Sequence, residues 1–122
     1  MTIGRSAEDY LEAILMIHER QGYVRSTDVA EQLGISKPSV SNATKRLRES
    51  EYLTTDPAGM LVLTASGMEI ASQIYARHRA LTDFFIRIGV CPEQAREDAC
   101  KIEHDISQET LEALCRYAGE QA

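Results

Sequence analysis

Apolar residues recur every three to four positions through most of this 122-residue chain and every second position in one short stretch. The first period predicts amphipathic helices and the second a β-hairpin. Tyr10, Leu11, Ile14, Leu15 and Ile17 mark a helix over about residues 6–19, with Ser6 placed to cap it and Gly22 at its exit. A short second helix follows from Ser26, with Val29, Ala30 and Leu33 turned inward and Gly34 breaking it. Ser36-Lys37-Pro38-Ser39-Val40 then supplies an N-cap and a proline in the first turn of a third helix, whose apolar stripe is Val40, Ala43 and Leu47. Helix, tight turn and helix make a helix-turn-helix.

From Tyr52 the period becomes two. Tyr52-Leu53-Thr54-Thr55 and Met60-Leu61-Val62-Leu63 flank Asp56-Pro57-Ala58-Gly59, a hairpin around a Pro/Gly turn. Placed directly after a helix-turn-helix, this hairpin reads as the wing of a winged helix, its tip set to lie along a DNA backbone. Thr64 can cap a long helix to about residue 88, with Ile70, Ile74, Leu81, Phe84 and Phe85 as its stripe and Gly89 at its end. Pro92 starts another helix over roughly residues 92–105, and Ser107 caps a last one through Leu111, Leu114 and Tyr117. The expected fold class is therefore mainly α: a winged helix-turn-helix DNA-binding domain over residues 1–64 and an all-helical domain over residues 65–122.

Charge sharpens this picture by position. Thirteen basic against nineteen acidic residues give a formal net charge of -6, which excludes a generalised positive surface for nucleic acid. Yet the third helix carries Lys37, Lys45, Arg46 and Arg48 against the single acid Glu49. Ser36, Ser39, Ser41, Asn42 and Thr44 accompany them, read as outward positions whose short polar groups reach phosphates or base edges in a major groove, and Pro38 is counted with the same DNA-binding face; for Ser36 capping is the first role. No apolar run approaches the roughly 18 to 20 residues of a membrane span, and acids stand where a secretory leader would place its apolar stretch, so a cytoplasmic protein is expected. Cys91, Cys100 and Cys115 are odd in number and read as thiols of a reducing compartment, with Cys91 and Cys115 assigned to capping and packing.

The acidic excess has its own pattern. Cys100, Glu103 and His104 stand at i, i+3 and i+4, which puts a thiol, a carboxylate and an imidazole on one helix face. Asp9 and Glu12 repeat the i, i+3 spacing in the first helix, and His78 lies inside the long helix. Spacing alone leaves two readings open, a divalent-metal site and solvated carboxylates beside a packed cysteine.

Glu8-Asp9-Tyr10-Leu11-Glu12, the winged helix-turn-helix, Arg77-His78 and Cys100-Lys101-Ile102-Glu103-His104, in this order, resemble the DtxR/MntR family of metal-dependent transcriptional repressors. The resemblance implies a short member without the family's third, SH3-like domain. It also implies a homodimer joined through the C-terminal helices that binds a palindromic double-stranded operator when loaded with Fe2+ or Mn2+, with Co2+ or Zn2+ as substitutes and no organic cofactor. Asp9, Glu12, His78, Glu103 and His104 match ligand positions of the manganese branch, whereas Cys100 stands where that branch has Glu and where the iron branch has Cys. The iron branch has Met at the place of Asp9, and its further Glu and His positions hold Thr82 and Arg96 here. The implied site is a hybrid, its thiolate leaning toward iron and its oxygens toward manganese. A bound dication would then link the first helix to the dimer lobe and set the two reading helices about 34 Å apart.

Two other functions are weighed against this one. A winged-helix regulator sensing a small molecule or thiol oxidation would use the same N-terminal half. An enzyme is excluded on pattern: no His-Glu-x-x-His run, nucleophile elbow or phosphate-binding glycine loop is present.

Overall fold

The computed structural model describes residues 4–121. In chain order its elements are α1 (Arg5–Gln21), α2 (Ser26–Leu33), α3 (Lys37–Glu49), β1 (Leu53–Thr55), β2 (Leu61–Leu63), α4 (Ala65–Arg87), α5 (Pro92–Ile102) and α6 (Gln108–Gln121). They form two compact units, Met1–Ser72 and Gln73–Ala122, with the division inside α4.

In the first unit the apolar stripe of α1 (Leu11, Ile14 and Ile17) is buried, as are Val29 of α2, Val40 and Leu47 of α3, and Leu53 and Leu61 of the hairpin. Full burial of each such side chain is worth roughly 1.5–3 kcal/mol, so this shared core, rather than helix propensity, holds the short elements in place. The start of α1 differs from expectation. Gly4 is the N-cap, its carbonyl accepting from the Glu8 amide at 3.1 Å, so Ser6 falls inside the first turn. The end is as expected: Gly22 takes the left-handed conformation, φ 85°, and returns its amide to His18 O at 2.8 Å.

The hairpin pairs Leu53 with Leu63 and Thr55 with Leu61 in antiparallel register. Its tip is shaped by Asp56, whose Oδ1 accepts from the amides of Ala58 and Met60, both at 2.9 Å. An acid at the wing tip is thus consumed by its own turn. Thr64 caps α4 by accepting from the Gly67 amide at 3.2 Å, while its hydroxyl donates to Glu51 O at 2.7 Å. Gly67 is buried, and a Cβ there would overlap the Tyr52 main-chain carbonyl. Gly67→Ala is therefore expected to lower stability by about 1–3 kcal/mol despite alanine's better helix propensity. A melting temperature equal to that of the unsubstituted chain would show that the close approach is not needed.

The core of the second unit is Leu81 of α4, Ala99 of α5 and Leu111 of α6, with Ala80, Phe85, Ile106 and Leu114 packed against them. Pro92 lies in the first turn of α5, and Ser107 Oγ caps α6 through the Thr110 amide at 3.1 Å. Two expectations change. Tyr117 is 55% exposed rather than part of the packed stripe. Helix α5 stops at Ile102, so Glu103 is its C-cap and His104 lies in the turn beyond.

Candidate metal centre and reading helix

Cys100, Glu103 and His78 come together inside the second unit, their ligating atoms all within 4.8 Å of one another. His78 is carried by α4, three turns into the helix, and is buried; its Nδ1 lies 2.9 Å from Glu103 Oε2 and 3.8 Å from Cys100 Sγ. Although α5 ends before Glu103, that residue keeps helical backbone angles and bonds its amide to Ala99 O. The i, i+3 relation to Cys100 therefore survives the end of the helix. His104 follows directly, its side chain 2% exposed and its Nε2 3.4 Å from Glu103 Oε1.

The electrostatics of this cluster call for a cation. Glu103 is completely buried at the carbonyl end of a helix, where the macrodipole is negative, and a buried carboxylate without compensation costs several kcal/mol. Its Oε1 accepts no hydrogen bond. His78 supplies part of the compensation as an imidazolium: its hydrogen bonds to Cys100 and Glu103 hold its pKa up to about 10, against the opposing pull of burial. A proton and a metal ion are alternative occupants of the same donor set. One imidazole nitrogen, one sulfur and one carboxylate, with Cys100 exposed and Glu103 Oε1 unsatisfied, fit a divalent transition metal.

Asp9 and Glu12 belong to the first unit, one turn apart on α1, the former half-buried and the latter buried. Glu12 buried on a helix face is unlike the solvated carboxylate that spacing alone allowed. Thr82, at a position where the iron branch has Glu, donates its hydroxyl to His78 O at 2.7 Å. All three cysteines are free and exposed, and Cys91 precedes α5 without making a side-chain cap bond.

On α3, Ser36, Lys37, Pro38, Ser39, Ser41, Asn42, Lys45 and Arg46 are all exposed. Ser36 is the N-cap, its Oγ accepting from the Ser39 amide at 3.3 Å. Thr44 corrects the sequence reading: it is 2% exposed and donates to Ser41 O at 3.1 Å, because it lies one turn from Val40 on the inward face. Arg77, noted in the sequence only as a neighbour of His78, makes three contacts that spacing did not reveal: to Glu103 O, Ile106 O and Gln108 Oε1.

Comparison with known proteins matches residues 2–61 to the model for "Iron dependent repressor, N-terminal DNA binding domain" and residues 64–121 to "Iron dependent repressor, metal binding and dimerisation domain". The chain is 39% identical over 109 residues to the HTH-type transcriptional regulator MntR of Shouchella clausii, covering 89% of this chain and 76% of that protein. Among solved structures it is similar to T. acidophilum IdeR, with TM-score 0.83 and 26% identity over 98% of this chain. A manganese-dependent transcriptional repressor in complex with manganese gives TM-score 0.84 and 28% identity over 93%. The chain spans only 55% and 52% of those two solved chains.

Proposed function

From the premise that this chain belongs to the DtxR/MntR family of metal-dependent transcriptional repressors, we propose that it binds a palindromic operator as a homodimer when loaded with Fe2+ or Mn2+. Residues 1–64 read DNA, and residues 65–122 carry the dimer contact and most of the metal ligands. The observation that carries the proposal is the convergence of His78, Cys100 and Glu103 on one another, with a buried carboxylate oxygen lacking a hydrogen bond. His104, Asp9 and Glu12 complete the ligand set. A divalent ion, when bound, supplies the positive charge these anionic and imidazole groups share.

The chain's own residues do the rest. The Glu103 carboxylate and the Cys100 thiol, within 4.8 Å of one another and of His78, form a cluster whose charge a dication would offset. Asp9 and Glu12 belong to the first unit, and His78, Cys100, Glu103 and His104 to the second. Metal acts as corepressor only through different affinities for the DNA-binding and non-binding forms. On the DNA side, Lys37, Lys45 and Arg46 contact phosphates, while Ser39, Ser41, Asn42 and Pro38 lie along the surface of α3 offered to base edges. The chain is read as a DNA-binding regulator rather than an enzyme.

The test is an operator titration with Mn2+, Fe2+, Co2+ and Zn2+ under anaerobic conditions, with duplexes selected from a random pool and bound metal counted per chain. Binding is expected to require metal and to disappear in excess chelator. Arg46→Ala is expected to weaken it at every metal level and to reduce the salt slope by about one unit. Operator binding that persists unchanged in chelator would sink the proposal. Repression that survives loss of both His78 and His104 would favour a small-molecule or thiol sensor.

A further inference from the structure

Glu103 is held from α4 at two points by adjacent residues. His78 Nδ1 lies 2.9 Å from its carboxylate, and the Arg77 guanidinium donates to its main-chain carbonyl at 3.1 Å. The same guanidinium nitrogen donates to Ile106 O at 2.7 Å, and the second terminal nitrogen to Gln108 Oε1 at 3.2 Å. One planar fork therefore gathers the C-cap of α5, the turn that follows and the first residue of α6. The turn Glu103-His104-Asp105-Ile106-Ser107 contains no glycine or proline to fix its path. Beyond its own main-chain bonds from the Asp105 and Ile106 amides to Ile102 O, the turn is tied down by this fork, and a guanidinium at the end of α5 also meets the helix's unsatisfied carbonyls and negative dipole.

We propose that Arg77 is a positioning residue for the metal centre. It fixes the backbone of the turn so that Glu103 is presented to His78 and Cys100 at ligating separation, with His104 beside it, its Nε2 3.4 Å from Glu103 Oε1. This rests on reading those four residues as ligands. Without the fork the turn samples other conformations, and part of the binding free energy goes to ordering it. A lysine keeps the charge but is a compact point donor in place of a fork, and so holds fewer of the three acceptors.

The test follows Co2+ binding to the full chain, without oxygen, by the thiolate-to-cobalt absorption that Cys100 would give. Arg77→Met is expected to bind Co2+ about 10- to 100-fold more weakly, the range found when partners that orient metal ligands are lost. At saturating Co2+ it should still develop the same absorption as the unsubstituted chain, because the ligands themselves are intact. Arg77→Lys should fall between the two. Unsubstituted Co2+ affinity in Arg77→Met overturns the inference, as does a lowered melting temperature with no change in affinity, which is what a purely structural role gives. If Arg77→Met does not fold, Arg77→Lys decides by the same criteria at unchanged helical content. Cys100→Ser should lack the absorption at every Co2+ concentration; an absorption that survives it overturns the reading of the site and the inference with it.

Discussion

Glu103→Ala is expected to give a folded chain whose operator binding no longer responds to metal. The residue supplies a carboxylate oxygen 2.9 Å from His78 Nδ1 and a second that accepts no hydrogen bond, so its loss removes the oxygen donor of the cluster. Loss of a ligand exceeds loss of a partner that merely orients one, so metal affinity should fall by more than about 100-fold. Unfolding is not expected to accompany it. The substitution removes the buried anion itself, Cys100 remains as a partner of His78, and the main-chain bond from Arg77 does not depend on the Glu103 side chain. Anisotropy of a labelled operator with and without metal reads the effect, and circular dichroism checks the fold. A variant that still gains operator affinity on metal addition, over the same concentration range as the unsubstituted chain, would remove Glu103 from the ligand set.

Local features were legible in the sequence where the physics is local. The Ser36 cap and Pro38 in the first turn of α3 depend on residues three apart, and both stand as read. So do Gly22, Gly89 and the Ser107 cap, because a left-handed exit or a side-chain cap involves only the last or first turn. The misreadings come from competition and distance. Ser6 is a sound cap by type, but Gly4 takes the position two residues earlier. Thr44 is polar, yet its hydroxyl is satisfied within α3, which lets it occupy an inward position. The end of α5 carries no Gly or Pro signal, so its periodicity ran on into the turn that holds Glu103 and His104. Arg77 reaches acceptors 26 to 31 residues ahead in the chain, a pairing that no local pattern encodes. The ligand residues were identifiable by type and spacing, but the burial of Glu103 and the elevated pKa of His78 depend on how α4 packs with α5.

That elevation predicts a steep dependence of metal affinity on pH. His78 titrates near 6.5 when unfolded and at about 10 when its bonds to Cys100 and Glu103 are formed. A raised pKa means the folded metal-free chain holds the proton more tightly than the unfolded one. The stabilisation is complete below about 6.5 and is lost as pH rises through about 10. For metal the sign is opposite, since only the deprotonated imidazole is a ligand and the proton must leave. Between pH 6 and 8, well below the folded value, Co2+ or Zn2+ affinity should therefore rise at least about tenfold per pH unit, or about 100-fold across the range. Binding in weakly buffered solution near pH 7 should release at least about one proton per metal, seen with an indicator dye. In Glu103→Ala the slope should be shallower, because one of the two partners that raise His78 is gone. Affinity that stays flat from pH 6 to 8, with no proton released, would mean that His78 is already neutral in the metal-free chain and that Glu103 is compensated some other way.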